Sequence, residues 1–240
     1  MRLNDLNLMF VSRLLNSQIG CPLPAMETLN YGKAILREMM SRVIPRNLFV
    51  GNRLANMSIS DFRKKKLLYV FHVFFDVNQS GTIDRKDFEL AIEKICSLRG
   101  WQQGSPQYQK TFDSMILIWE GLRSRADFNQ DGQVSVEEWA SMWDDYSKNP
   151  ENALEWQNNY MRFMFDLEDA SGDGSIDIEE FTSVCSCYGL QAQECREAFQ
   201  KMAGGQKEVN FEQFKSLWKQ FFVSENPSEP GNFIFGKTKF

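Results

Sequence analysis

The stretch Asp169–Glu180 reads DASGDGSIDIEE. Asp169, Ser171 and Asp173 stand at positions 1, 3 and 5 of a twelve-residue loop, and Ser175 at position 7 offers its backbone carbonyl. Asp177 at position 9 can act through a water, and Glu180 at position 12 supplies two oxygens at once. Gly174 holds position 6, where the chain must turn sharply and a Cβ would be in the way. Ca²⁺ is a hard cation that takes six to eight oxygens, and alternate residues of a tight turn can aim that many at one point. A solvated acidic turn could share this composition; repetition along the chain argues against it.

Two further loops carry the same spacing. Asp127–Glu138, DFNQDGQVSVEE, places Asp127, Asn129 and Asp131 at positions 1, 3 and 5, Gly132 at 6, Gln133 at 7 and Glu138 at 12. Asp76–Asp87, DVNQSGTIDRKD, places Asp76, Asn78, Ser80, Gly81 and Thr82 likewise but ends on Asp87. That side chain is one methylene shorter, so bidentate reach requires a tighter loop. This predicts a site shifted toward compact, octahedral Mg²⁺ or toward weaker Ca²⁺ binding.

The flanks repeat too. Position 8 is Ile83, Val134 and Ile176. The apolar faces of the exiting helices are Phe88, Ala91, Ile92, Ile95; then Trp139, Met142, Trp143, Tyr146; then Phe181, Val184, Cys185, Tyr188. Entering faces are Leu67, Val70, Phe71, Phe74, Phe75; then Met115, Ile118, Trp119, Leu122; then Met161, Met164, Phe165. A chance acidic turn would not bring helical faces with it. Setting Val209 at position 8 reveals a fourth unit, loop Met202–Gln213, whose exiting face is Phe214, Leu217, Trp218, Phe221. Its ligand positions hold Met202, Gly204, Gln206 and Gln213, with no carboxylate, so it is expected to be metal-free. The predicted fold is all-α: four EF-hand units in two pairs, with short β-bridges joining Ile83 to Val134 and Ile176 to Val209. The expected divisions are an extension over 1–57, a first pair over 58–148, a second over 149–223 and a tail over 224–240. Gly100–Pro106 reads as a longer connection between the first two hands.

Composition narrows the function. The 240 residues are 42% hydrophobic with 20 Phe, enough for a sizeable core. Net charge is −5, but residues 1–60 hold seven Lys/Arg against three Asp/Glu, so the remainder is strongly acidic. An acidic body suits cations and disfavours nucleic acid. Five cysteines and one histidine, without zinc spacing, suit reduced thiols and a cytoplasmic setting. No apolar run approaches 18 residues, so no transmembrane helix is expected. In the extension, Leu3 to Leu15 could form a short amphipathic helix ended by Cys21-Pro22-Leu23-Pro24. Its Arg-leaning composition resembles a transit peptide, but a flexible extension is the simpler expectation. Met57 could be an alternative start. Ser58–Asp61 fits a capping box for the first helix. The basic run Arg63–Lys66 reads as a solvated turn of that helix, and His72 as a packed or surface residue.

Several stretches carry a resemblance: DFELAIEKIC (Asp87–Cys96), LIWEGLR (Leu117–Arg123), EEWASMW (Glu137–Trp143), YMRFMFD (Tyr160–Asp166), QFFVS (Gln220–Ser224) and GNFIFG (Gly231–Gly236). From Ser58 to Phe240 the chain resembles the calexcitin and sarcoplasmic calcium-binding protein family. The resemblance implies three binding hands and a degenerate fourth. It also implies neuronal calcium signalling, with proposed GTP binding and effects on potassium channels or ryanodine receptors. It does not extend to residues 1–57.

The tail contains Gly231-Asn-Phe-Ile-Phe-Gly236-Lys237-Thr238, which matches the phosphate-cradling G-x-x-x-x-G-K-[ST] pattern. That loop needs a strand before it and a helix after it. Here Pro227 to Pro230 lead in and only Lys239 and Phe240 follow, so an apolar tail, packed into a groove or unordered, is expected instead. Two classes compete: a non-enzymatic Ca²⁺ buffer or sensor, and a Ca²⁺-gated GTP-binding switch. A calcium-triggered photoprotein would need more histidines than His72. Five Met against eighteen Phe from Ser58 onward favours a rigid core, hence buffering, over a Met-rich groove.

Overall fold

The structure, a computed structural model, describes residues 59–240, all within the unit Arg46–Phe240. The extension 1–57, Met57 and Ser58 lie outside the described residues. Helix α1 spans Asp61–Val70 and is capped by Ser60, whose side chain accepts from Arg63 N at 3.3 Å. The helix is therefore capped two residues later than the Ser58–Asp61 pattern suggests. A π-helical turn, Phe71–Phe75, continues α1 into the first loop and keeps Phe71, Phe74 and Phe75 buried.

After the first loop come β1 (Thr82–Ile83), α2 (Arg85–Arg99) and α3 (Pro106–Ala126). The second loop leads to β2 (Val134–Ser135) and α4 (Val136–Lys148). Next are α5 (Glu155–Glu168), β3 (Ser175–Asp177), α6 (Ile178–Cys187), α7 (Ala192–Ala203), β4 (Glu208–Asn210) and α8 (Phe211–Val223). One local device starts every exiting helix. Position 9 of each loop (Asp84, Ser135, Asp177, Asn210) is the N-cap, and position 12 accepts that residue's own N–H, a reciprocal capping box. Position 12 thus serves helix initiation as well as any ion.

The strands pair antiparallel in the register expected from position 8. Ile83 faces Val134 and Ile176 faces Val209, the second bridge running three residues on each strand. Each bridge joins two hands so that their apolar faces close on each other. The faces read from the sequence are the core: Phe88, Ile92, Trp139, Trp143, Phe181, Phe214 and Phe221 are all buried. The two pairs meet where Trp143 of α4 stacks on Phe222 of α8, ring centroids 3.6 Å apart and 9° from parallel. Trp139 Nε1 donates to Leu67 O at 3.0 Å, tying α4 to α1.

The basic run is not a solvated turn. Lys64 and Lys65 are exposed, but Arg63 and Lys66 are buried. They lie three residues apart, on the face of α1 that turns inward. Arg63 donates to Trp143 O at 3.4 Å and stands 3.6 Å from Asp144, itself buried and paired with Lys148 at 2.8 Å. His72 is exposed, with Nδ1 3.5 Å from Asp76 Oδ2.

Gly121 sets the approach of α3 to α5, because a Cβ there would collide with Trp156 Cβ. Backbone atoms on one side and a buried indole on the other leave little room to relax. Gly121→Ala is expected to destabilise the fold by about 1–3 kcal/mol through overpacking, against a helix-propensity gain of under ~1 kcal/mol. Urea unfolding would check this; an unchanged or raised midpoint would show that α3 and α5 can separate at no cost.

Candidate metal centres

In all three predicted loops position 6 is a glycine with positive φ, +88° at Gly81, +85° at Gly132 and +91° at Gly174. Position 4 is left-handed as well, at Gln79, Gln130 and Gly172. This double turn folds position 1 back over the loop. Asp76 accepts from Ser80 N (2.8 Å) and Gly81 N (3.0 Å), and Asp127 from Asp131 N and Gly132 N (both 3.1 Å). Asp169 accepts from Asp173 N (3.1 Å) and Gly174 N (3.0 Å). Positions 1, 5 and 6 are thus brought together in each loop.

Position 12 crosses the loop. Asp87 accepts from Asn78 N at 3.0 Å and Asp84 N at 2.9 Å. Glu180 accepts from Ser171 N at 2.8 Å and Asp177 N at 3.0 Å. Glu138 accepts from Phe128 N and from both N and Oγ of Ser135, all at 2.9 Å. The shorter Asp87 reaches the amides of positions 3 and 9, the same two that Glu180 reaches. Among the remaining predicted positions, Asn78 and Asn129 accept from the position-5 amides, and Asp173 from Ser175 N at 3.0 Å. Ser80 Oγ donates to the Thr82 carbonyl at 3.0 Å. Gln133 is exposed, and its amide N–H goes to Asp131 Oδ1.

Among the described residues no three His, Cys, Asp or Glu side chains converge on one point. The donor set of such a loop includes amide, hydroxyl and backbone oxygens, and its carboxylates here are turned toward backbone N–H groups. The residues nonetheless fit a hard cation. Every loop brings oxygen donors only, with no sulfur or imidazole in the ring, the set that Ca²⁺ and Mg²⁺ prefer. The first loop is the most enclosed: Asp76 and Asp87 are both buried, whereas Asp169 and Glu180 are half-buried. Burial pushes the Asp87 carboxyl above its usual range, only partly offset by the Asp84 and Asn78 amides.

The fourth loop closes on itself. Gln213 Oε1 accepts from Asn210 N at 2.9 Å, as the carboxylates at position 12 do, but its Nε2 donates to Gln206 Oε1 at 2.6 Å. A direct bond between positions 12 and 5 spans the space that an ion would fill. Sequence reading identified both residues without seeing that they pair.

Three other features were not read from the sequence. Glu168, just before the third loop, is buried, and burial followed by Glu180 holds its carboxyl well above the usual range. Arg99 at the end of α2 donates to Leu167 O at the end of α5, linking the first hand to the third. A cavity of about 10 Å³ lies among Phe74, Phe75, Phe88, Tyr160 and Tyr188. That space is smaller than a chromophore.

The tail packs. A 3₁₀ turn, Pro230–Phe233, leads into buried Ile234 and Phe235. Among the described residues no strand leads directly into the Gly231–Thr238 segment. Lys237 Nζ lies 4.8 Å from the Tyr69 ring centre, and Thr238 N and Oγ1 both donate to Glu194 Oε1 at 3.1 Å. A carboxylate stands where a P-loop would receive phosphate.

Comparison with known proteins agrees with this geometry. An EF hand family model matches residues 74–90, 124–143 and 164–185, which enclose the cores of the first three loops. Calexcitin-1 of Caenorhabditis elegans is 33% identical over 187 residues, covering 76% of this chain and 90% of that protein. This chain belongs to the calexcitin and sarcoplasmic calcium-binding protein family. Sarcoplasmic calcium-binding proteins I, III and IV of Branchiostoma lanceolatum are 30% identical over 183 residues, 75% of this chain and 98% of theirs. The solved structure of an amphioxus sarcoplasmic calcium-binding protein superposes with a TM-score of 0.64 at 28% identity, covering 75% of this chain and 99% of that one. The chain is a calcium-binding EF-hand protein, and its relatives are calcium-binding proteins rather than enzymes. No helix among the described residues is long and apolar enough to cross a membrane.

Proposed function

We propose that the protein is a three-site calcium buffer with a metal-free fourth hand, and that its first site is the one shared with Mg²⁺. The ligands are Asp76, Asn78, Ser80, Thr82 and Asp87 in the first loop and Asp127, Asn129, Asp131, Gln133 and Glu138 in the second. The third loop uses Asp169, Ser171, Asp173, Ser175 and Glu180. Thr82, Gln133 and Ser175 contribute backbone carbonyls. The observation that carries this reading is the contrast at position 12: a carboxylate bridges the loop three times, and an amide pair closes it once.

Buffering is favoured because the apolar faces are already covered, by the opposite hand and by the tail. A sensor needs a face to expose on binding calcium. Residence in the cytoplasm rests on the reduced-thiol reading of the cysteines, and a part in neuronal calcium signalling comes with the calexcitin resemblance. A protein target such as an ion channel comes with that likeness. The GTP switch has no support in the tail, whose candidate phosphate-binding groups are already taken.

Calorimetric titration of the full chain with Ca²⁺ should give three sites; four tight sites, or one, would overturn the loop assignments. The Mg²⁺ preference of the first loop rests on Asp87, whose short arm already spans a closed, buried ring. Mg–O distances of about 2.0–2.1 Å suit such a ring better than Ca–O distances of about 2.3–2.6 Å. Asp87→Glu should raise Ca²⁺ over Mg²⁺ selectivity at this loop alone. In NMR titrations the Gly81 amide should respond to millimolar Mg²⁺ before those of Gly132 and Gly174. The reverse order would sink the assignment.

A further inference from the structure

The tail is held by groups that the calcium loops do not use. Lys66 Nζ on α1 donates to Phe221 O at 2.6 Å, Ser224 O at 2.7 Å and Asn232 Oδ1 at 2.8 Å. The protonated amine has three N–H donors, which these acceptors satisfy in full, and one of the acceptors is a side chain of the tail. Lys66 and Asn232 are each 1% exposed. Asn232 Nδ2 donates in turn to Asn226 O at 2.8 Å, which fixes the orientation of the amide. Tyr69 Oη donates to Phe235 O at 2.8 Å, and Gly231 N donates to Gln220 Oε1 at 3.0 Å. Phe235 enters an aromatic slot, its ring 4.7 Å from Phe221, 4.9 Å from Phe74 and 5.6 Å from Trp218. Gly231 runs so close to α8 that a Cβ would strike the Leu217 carbonyl. The stretch joining α8 to this segment, Glu225–Ser228, is exposed.

These contacts are those of a ligand in a site: one buried lysine anchor, one aromatic pocket, main-chain recognition, and an exposed tether. We propose that the groove lined by Lys66, Tyr69, Phe74, Trp218, Gln220 and Phe221 is a peptide-binding site. Its resident ligand is the chain's own tail, read as a carboxamide followed by an aromatic–aliphatic–aromatic run, Asn232-Phe233-Ile234-Phe235. A partner segment of the same chemistry enters by displacing it. A tethered ligand acts at an effective concentration of about millimolar, so the groove stays shut to weak competitors. None of these residues is a calcium ligand in the scheme above, so the ligand assignments stand or fall separately from this groove.

Gly231→Ala in the full chain tests this, because the added Cβ strikes α8 while every groove side chain stays as it is. A labelled synthetic peptide of residues 226–240 is titrated by fluorescence anisotropy into the variant and into the unsubstituted protein. The peptide should bind the variant at least about tenfold more tightly than the unsubstituted chain, whose own tail competes. A peptide carrying Asn232→Ala should bind the variant about tenfold more weakly, having lost the hydrogen bond from Lys66 Nζ. Equal binding to the two proteins, or equal binding of the two peptides, overturns the proposal. Should Gly231→Ala lose its near-UV circular dichroism, hydrogen exchange on the unsubstituted chain decides. The amides of Gly231, Ile234, Gly236 and Thr238 should then exchange through an opening that leaves α8 protected. Protection equal to that of α8 would make the tail an inseparable part of the core.

Discussion

Replacing Glu180 by Gln removes calcium from the third loop and leaves the other two filled, with an expected loss at that loop of roughly 100-fold, about 3 kcal/mol. Glu180 is the cleanest position for this test. Its oxygens bond only to the amides of Ser171 and Asp177, and it is half-buried. Glu138 caps its helix in the same way but is buried and also takes the Ser135 hydroxyl, so its substitution would add a buried polar loss to the change in calcium affinity. In Glu180→Gln one oxygen survives to accept a single amide, while the new NH₂ group faces the other and repels it. The charge and the bidentate reach are lost together. Calorimetry should count two sites instead of three, and the Gly174 amide should cease to respond to Ca²⁺ while Gly81 and Gly132 still do. Three undiminished sites would show that Glu180 is not a ligand.

Lys66→Met should lower stability by about 2–4 kcal/mol at pH 9, because the two N–H groups that the neutral amine still offers to Phe221 O, Ser224 O and Asn232 Oδ1 are lost inside the protein. The loss should shrink toward pH 6. Burial, with Arg63 second, draws the Lys66 ammonium down from 10.5 to about 7, with Glu225 and Glu229 pulling the other way. Between about pH 7 and 10.5 the unfolded chain therefore holds a proton that the folded chain has released, and stability rises with pH across this window. Below pH 7 both states are charged, and the cost of burying the charge is felt in full. Met fills similar volume without that cost, so the gap between the two proteins should widen as pH rises. Urea unfolding at pH 6, 7.5 and 9 measures it. A gap that is constant or narrows with pH would show that Lys66 stays an ammonium throughout.

The local sequence was enough for the loops, the helices and their pairing. A calcium loop is twelve consecutive residues, so its ligands, its position-6 glycine and its capping box all lie within one turn of chain. The apolar faces follow from the 3.6-residue period. The β-bridges follow from position 8, because only one register brings Ile83 onto Val134 and Ile176 onto Val209. Even the fourth hand was legible, since Val209 and the Phe214–Phe221 face keep the repeat where the loop carboxylates are missing.

What the tertiary structure alone decided are polar contacts over long separations. Lys66 in a run of four basic residues has the local signature of a solvated surface, and only acceptors 155 to 166 residues away make its burial possible. Asn232 sits in a segment that imitates a phosphate loop; its role depends on where α1 lies beside α8. Glu168 looks like one more acid before an acidic loop, yet the packing of α5 buries it. The Gln206–Gln213 bond depends on loop closure, which composition does not specify. Apolar burial repeats with the helix and can be read along the chain. A buried polar group is stabilised by one particular partner, and that partner has no periodic relation to it in sequence.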